Sequence, residues 1–170
     1  MERDAALADY EAARKEWEAA FSRVPDGALT YLKPGDDYSL GGLQVHVNWV
    51  LAHYRRVLDA IVAGGFAQIG PQDPPGAEAK ALEGARRGLT HGERNGSLDE
   101  MARLHEDVGA ACRVLPPSDW SRKAPVVYGS GQEPYPTSPE DVVGWLRDHY
   151  REHVDQSAAL VEEWKTATGA

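Results

Sequence analysis

Six histidines punctuate the 170-residue chain, and two of them stand four residues apart in the run His149-Tyr150-Arg151-Glu152-His153. On a helix that spacing puts both rings on one face about one turn apart, so both can reach a single cation. Measured from His149 by helical angle, Val142, Trp145, Leu146, Leu160 and Trp164 fall on the same side, which points the pair inward. Two buried rings without partners cost on the order of 1–3 kcal/mol each, and one cation satisfies both. The third ligand expected is His46, which shares an apolar stripe with Leu43, Val50 and Val57. His53 is the rival, but it lies ~10 Å further along the same helix, too far to join His46 on an ion with bonds of ~2.1 Å. His46 is nearer the centre of the stripe and is preferred. Three imidazoles with one position left free form the catalytic pattern for zinc, and nickel and iron(II) also accept it.

Two helices far apart in the chain must carry these ligands, and the sequence supplies them. Tyr10, Ala13, Trp17, Ala20 and Val24 continue a helical stripe from Ala6 until Pro25 and Gly27. Ser39 is expected to cap a second helix, which ends at Gly64-Gly65. The run Gly70 to Gly76 breaks any helix, and Ala77 to Arg87 reads as a short surface helix. Ser97 is expected to cap a third long helix bearing Met101, Leu104, His105, Val108 and Cys112, stopped by Pro116-Pro117. Lys123 to Thr137 reads as a loop with a β-capable piece, Val126 to Tyr128, long enough to act as a lid over a pocket. Ser138-Pro139-Glu140-Asp141 combines a hydroxyl cap, an N1 proline and two acids, and starts a last helix running to about Trp164. The expected fold is all-α: an antiparallel four-helix bundle with a short extra helix and a long loop before the last helix, in one domain spanning residues 1–170.

Bulk composition removes other classes. With 18 basic and 27 acidic residues the formal charge is −9, so a nucleic acid is repelled and is not the expected partner. The single cysteine, Cys112, cannot close an internal disulfide. Together with the lack of a secretory leader this predicts a cytoplasmic protein. No apolar run approaches the ~20 residues of a membrane helix. An unpaired apolar helix face would support a homodimer.

The remaining chemical signals are weaker. A di-iron bundle needs Glu-x-x-His in two helices, whereas Leu43, Ala102 and Tyr150 precede His46, His105 and His153 by three. Gly129-Ser130-Gly131 is neither a dinucleotide loop nor a nucleophile elbow, because Pro134 and Tyr128 occupy positions those motifs reserve for glycine. Glu152 completes a His-x-x-Glu-His string, but only 17 residues follow His153, and the downstream acids Glu162 and Glu163 share its helix. A solvated Glu152 is therefore expected, with a role as base for water the lesser alternative. His53 reads as a partly exposed boundary residue, and His105 as a core residue, a donor behind the ligands or, as the least favoured alternative, a ligand itself; His91 is assigned nothing. Cys112 reads as inert core, as do Trp17, Trp49, Trp145 and Trp164 at helical spacing, with a pocket wall the alternative for Trp49, one turn after His46.

The stretch Tyr38-Ser39-Leu40-Gly41-Gly42-Leu43-Gln44-Val45-His46-Val47, together with His149-x3-His153 near the end, resembles the DinB/YfiT-like superfamily of four-helix metalloproteins. The resemblance implies that His46, His149 and His153 bind one divalent metal ion. The family includes thiol S-transferases and a mycothiol-dependent maleylpyruvate isomerase, so it implies a small-molecule substrate with a low-molecular-weight thiol as co-substrate. The function expected is a metal-dependent enzyme that activates water or a thiol for transfer, isomerisation or hydrolysis, with no residue assigned to catalysis beyond the ligands. The alternative is a non-catalytic bundle whose metal or buried histidines serve folding, sensing or ligand binding.

Overall fold

The apolar stripes become α1 (Arg3–Ser22), α2 (Leu40–Ala63), the short α3 (Ala77–Arg87), α4 (His91–Arg113) and α5 (Pro139–Thr168) in the computed structural model, which describes residues 1–170. The chain is mostly helical, and its only sheet is two short strands, β1 (Ala124–Val126) and β2 (Tyr135–Thr137). No helix is long and apolar enough to cross a membrane.

Helix starts follow the local chemistry. Ser39 caps α2 by accepting the Gly42 amide at 3.0 Å, and Ser138 with Asp141 forms a reciprocal box at the start of α5. The start of α4 differs from expectation. It lies at His91 rather than after Ser97, because Thr90 and Glu93 form a two-way box that satisfies both amides. Ser97 sits inside the helix, and its backbone carbonyl and Oγ both accept from Asn48. At the other end of the chain, α5 runs past Trp164 to Thr168, where Gly169 takes up positive φ and closes it.

Neighbouring long helices are not uniformly antiparallel. α2 opposes α5, since His46 meets His149 while Tyr54 meets Trp145, and α1 opposes α4, with Arg3 near Leu115 and Tyr10 near His105. By contrast α1 runs parallel to α5, with Asp9 on Arg151 and Trp17 against His153. α2 likewise runs parallel to α4, with Asn48 on Ser97 and Arg55 on Asp107. Parallel neighbours need a crossover, and residues 64–90, including α3, supply it between α2 and α4.

Close approach at the start of α2 depends on two glycines. A Cβ on Gly42 would stand 1.6 Å from the carbonyl oxygen of Ala85 in α3, and one on Gly41 would stand 2.4 Å from that of Leu29. Absent side chains let Ser39 donate its own amide and hydroxyl to Ala85, tying α3 onto α2. A buried polar chain adds a second tie: Trp17 Nε1 donates to Gln44 at 2.8 Å, and Gln44 donates to Asn48 at 2.9 Å. Each of those groups would cost about 1–3 kcal/mol if left unpaired in the core.

Residues 123–137 form a hairpin rather than a plain loop. β1 pairs with β2 antiparallel, Pro125 facing Pro136, and Ile69 bridges to Val126. Ala124 and Val126 are buried with Val57, Ile61 and Phe66 beside the end of α2. The strand falls two residues before Val126–Tyr128 because this small apolar cluster, not local β propensity, selects what pairs.

Two glycine substitutions should separate packing from helix propensity. Gly42→Ala is expected to lower the free energy of unfolding by about 1–3 kcal/mol through overpacking. Gly144→Ala in α5, where an added Cβ meets nothing within 4 Å, should raise it by about 0.5–1 kcal/mol. Urea titrations followed by circular dichroism measure both.

Candidate metal centre

His46 on α2 and His149 and His153 on α5 converge across the antiparallel contact. His149 Nε2 lies 3.0 Å from His46 Nε2 and 3.0 Å from His153 Nε2, and one ring nitrogen from each of the three lies within 4.8 Å of the others. The rings meet edge to face, with centroids 4.3 Å apart for His149 and His153 and 4.9 Å for His46 and His149. Packing fixes their planes. Tyr38 stacks on His46 at 4.3 Å, and Trp17 closes the far side of His153 at 6.0 Å.

Protons alone do not satisfy this arrangement. His153 Nδ1 faces the amide oxygen of Gln156 at 2.7 Å, so Nδ1 carries the hydrogen and Nε2 presents a lone pair inward. His149 Nε2 holds one hydrogen or one lone pair, yet it faces two nitrogens at equal distance. At least one contact is therefore left without a bridging proton of its own. A shared cation removes the conflict, since two nitrogens bonded at ~2.1 Å to one ion lie about 3.0–3.4 Å apart for angles from 90° to tetrahedral. The donor set fits a borderline divalent metal, and the Gln156 bond fixes the orientation of the His153 ring.

Electrostatics keep the rings in the form a metal needs. Burial lowers the pKa of His46 to about 4, with the facing His153 adding to it. Burial and the two neighbouring imidazoles take His149 down to about 3. His153 is also lowered by burial, against the pull of its Gln156 bond. All three are neutral near pH 7.

A cavity of about 470 Å³ opens onto the cluster, lined by His46, Trp49, Val50, His53, Tyr54, Trp145, Asp148, His149 and Glu152. Trp49 is the wall the sequence suggested; it lies nearly parallel to His46 at 6.5 Å and to His53 at 5.4 Å. Glu152 is exposed at the rim. Nothing in residues 123–137 lines the cavity, so the expected lid is instead a side support. Tyr128 and Tyr135 stand behind His53 and Trp145, with ring centroids about 6 Å away. Their hairpin is held down by its own apolar cluster, which leaves the mouth open.

The other histidines separate cleanly. His105 lies away from the cluster as a satisfied core residue: Nε2 faces Glu11 at 2.8 Å, Nδ1 faces the Tyr150 hydroxyl at 3.1 Å, and Tyr10 stacks on the ring at 3.8 Å. Burial lowers its pKa to about 4, outweighing the Glu11 carboxylate. His91 is exposed beside Asp26. His53 is partly exposed, as the sequence predicts, and in addition it lines the cavity, with Nδ1 facing the carboxylate of Asp73 at 2.7 and 2.9 Å. Its face was legible from the seven-residue step after His46, but Asp73 comes from a proline-rich connection with no pattern to announce it. Cys112 is fully buried, and burial pushes its thiol up to about 12.

The depressed imidazoles make stability fall on acidification. As pH drops below 6.5 the unfolded chain takes up protons that the folded chain refuses until about pH 4 for His46 and His105 and about pH 3 for His149. Chelator-treated protein should therefore lose urea resistance steadily from pH 6.5 to 5, above the range where carboxylates titrate. His149→Ala should flatten that slope by up to one proton, about 1.4 kcal/mol per pH unit. An unchanged slope would show that the ring is not held neutral.

Comparison with curated proteins and with solved structures returns no match. The family profile of the DinB superfamily matches residues 3–157. That match takes in α1 to α4, most of α5 and all three clustered histidines, and on this ground the chain belongs to the DinB superfamily.

Proposed function

We propose that this chain is a metal-dependent enzyme acting on a small molecule, with His46, His149 and His153 as the protein ligands of one divalent ion. Zinc, nickel and iron(II) all suit three neutral imidazoles with free positions remaining. The four long helices act as a bundle in one domain, and its core carries the ligands on facing helices. The carrying observation is the meeting of three ring nitrogens at the floor of an open cavity, with too few protons to bridge them.

An ion held there would supply Lewis acidity, polarising a carbonyl or lowering the pKa of water or a thiol. The protein's own groups do the rest. Burial keeps the imidazoles unprotonated, Gln156 orients His153, and the rings of Trp49, Tyr54 and Trp145 offer flat apolar walls to a substrate. By family analogy the nucleophile is a low-molecular-weight thiol, adding to or transferring onto a small electrophile. Accessibility favours this over a silent structural ion. A closed site has no use for a cavity of this size at its ligands.

Untagged protein should bind one equivalent of divalent metal, read by elemental analysis. His149→Ala with His153→Ala should abolish binding and keep the helical content. Gln156→Ala should weaken binding about 10- to 100-fold. Thiol conjugation to an electrophilic probe should rise with metal loading and vanish with chelator. Full conjugation activity in metal-free protein would reject the proposal.

A further inference from the structure

The cavity holds a second pole that the three-histidine reading leaves unused. His53 Nδ1 faces both oxygens of Asp73, and a carboxylate only accepts, so Nδ1 carries the hydrogen. The neutral ring then presents its lone pair on Nε2. That atom has no protein partner and is not among the buried unpaired polar atoms, while the ring itself lines the cavity. Trp49 stacked at 5.4 Å and 17° holds the ring plane. Arg56 also binds Asp73, at 2.6 Å. Clipping the loop to α2 thus does not require a histidine, and the pairing leaves Nε2 as an oriented base.

We infer that His53, oriented by Asp73, is the proton acceptor of this cavity, taking the proton of an O–H or S–H nucleophile that adds to an electrophilic carbon held toward the three histidines. The inference rests on the enzymatic reading above. The spacing suits it. Seven helical residues separate His53 from His46, ~10 Å along the axis. A hydrogen bond of ~3 Å, an attack distance of ~3–3.5 Å and a carbonyl reaching toward the ligands fill that span with one nucleophile and one electrophile. In the step, the X–H bond breaks and its proton goes to Nε2. The freed pair on X forms the bond to carbon, and the carbonyl π pair moves onto oxygen. The proton on Nε2 then returns to that oxygen or to a departing group. Asp73 is a positioning residue that fixes the tautomer.

An affinity label reads the basic nitrogen without any knowledge of the substrate. 2-Bromoacetophenone carries a carbonyl for one end of the cavity and a ring for its aromatic wall; alkylation forms an Nε2–carbon bond and releases bromide. Zinc-loaded and chelator-treated protein are labelled in parallel and the sites mapped by peptide mass spectrometry. His91, whose Nδ1 also meets a carboxylate, Asp26, but in open solvent, is the internal control. His53 should label at least tenfold faster than His91 in both forms. Asp73→Asn should slow it at least tenfold, whereas Arg56→Gln, which loosens the same loop but keeps the carboxylate, should change it less than threefold. Labelling of His53 no faster than His91, or equal slowing by both variants, overturns the inference. If Asp73→Asn fails to fold, the wild-type comparison with His91 decides. Protein that labels at His53 yet binds no metal loses the metal reading and keeps this one; the opposite result does the reverse.

Discussion

Three imidazole nitrogens meet at the floor of a cavity, and the protons available cannot bridge every contact between them. Burying such a set is unfavourable for a bare protein. Each ring is desolvated, so protonation is suppressed well below the ordinary histidine range, and lone pairs are left facing one another. A fold that tolerates this holds the nitrogens ready for a cation, and the cost is met by the apolar packing around them.

Much of the remaining structure serves that meeting. The antiparallel contact of α2 with α5 sets the three rings at one height, and each helix is braced from behind by a parallel neighbour, α4 behind α2 and α1 behind α5. Trp17 links the two halves, since its ring closes one side of His153 while its Nε1 donates to Gln44 on α2. Gly41 and Gly42 let α3 and the segment around Leu29 lie against the start of α2, the helix of His46. The glycine pair and the following His46 therefore belong to one device: close backbone approach fixes the helix that carries this ring of the cluster.

The helices and the convergence of His46, His149 and His153 were readable from sequence because each depends on periodicity within one segment. Helical spacing puts ligands on a face, and apolar neighbours say which way that face points. The start of α4 is hidden in the sequence because Ser97 looks like a cap, while the Thr90–Glu93 box lies ahead of the apolar stripe in a polar stretch without periodicity. Helix direction was not legible, since nothing in a single stripe says whether its neighbour runs the same way. The hairpin and the Asp73 partner of His53 depend on contacts between irregular segments and α2, and no local pattern encodes them.

X-ray absorption at the metal edge of metal-loaded protein addresses the shared ion most directly. If the three nitrogens hold it, the first shell contains three imidazole nitrogens at ~2.0–2.1 Å with their multiple-scattering signature, and that signature is lost when His46 is replaced by alanine. A first shell of carboxylate oxygens, or an unchanged spectrum without His46, would contradict it.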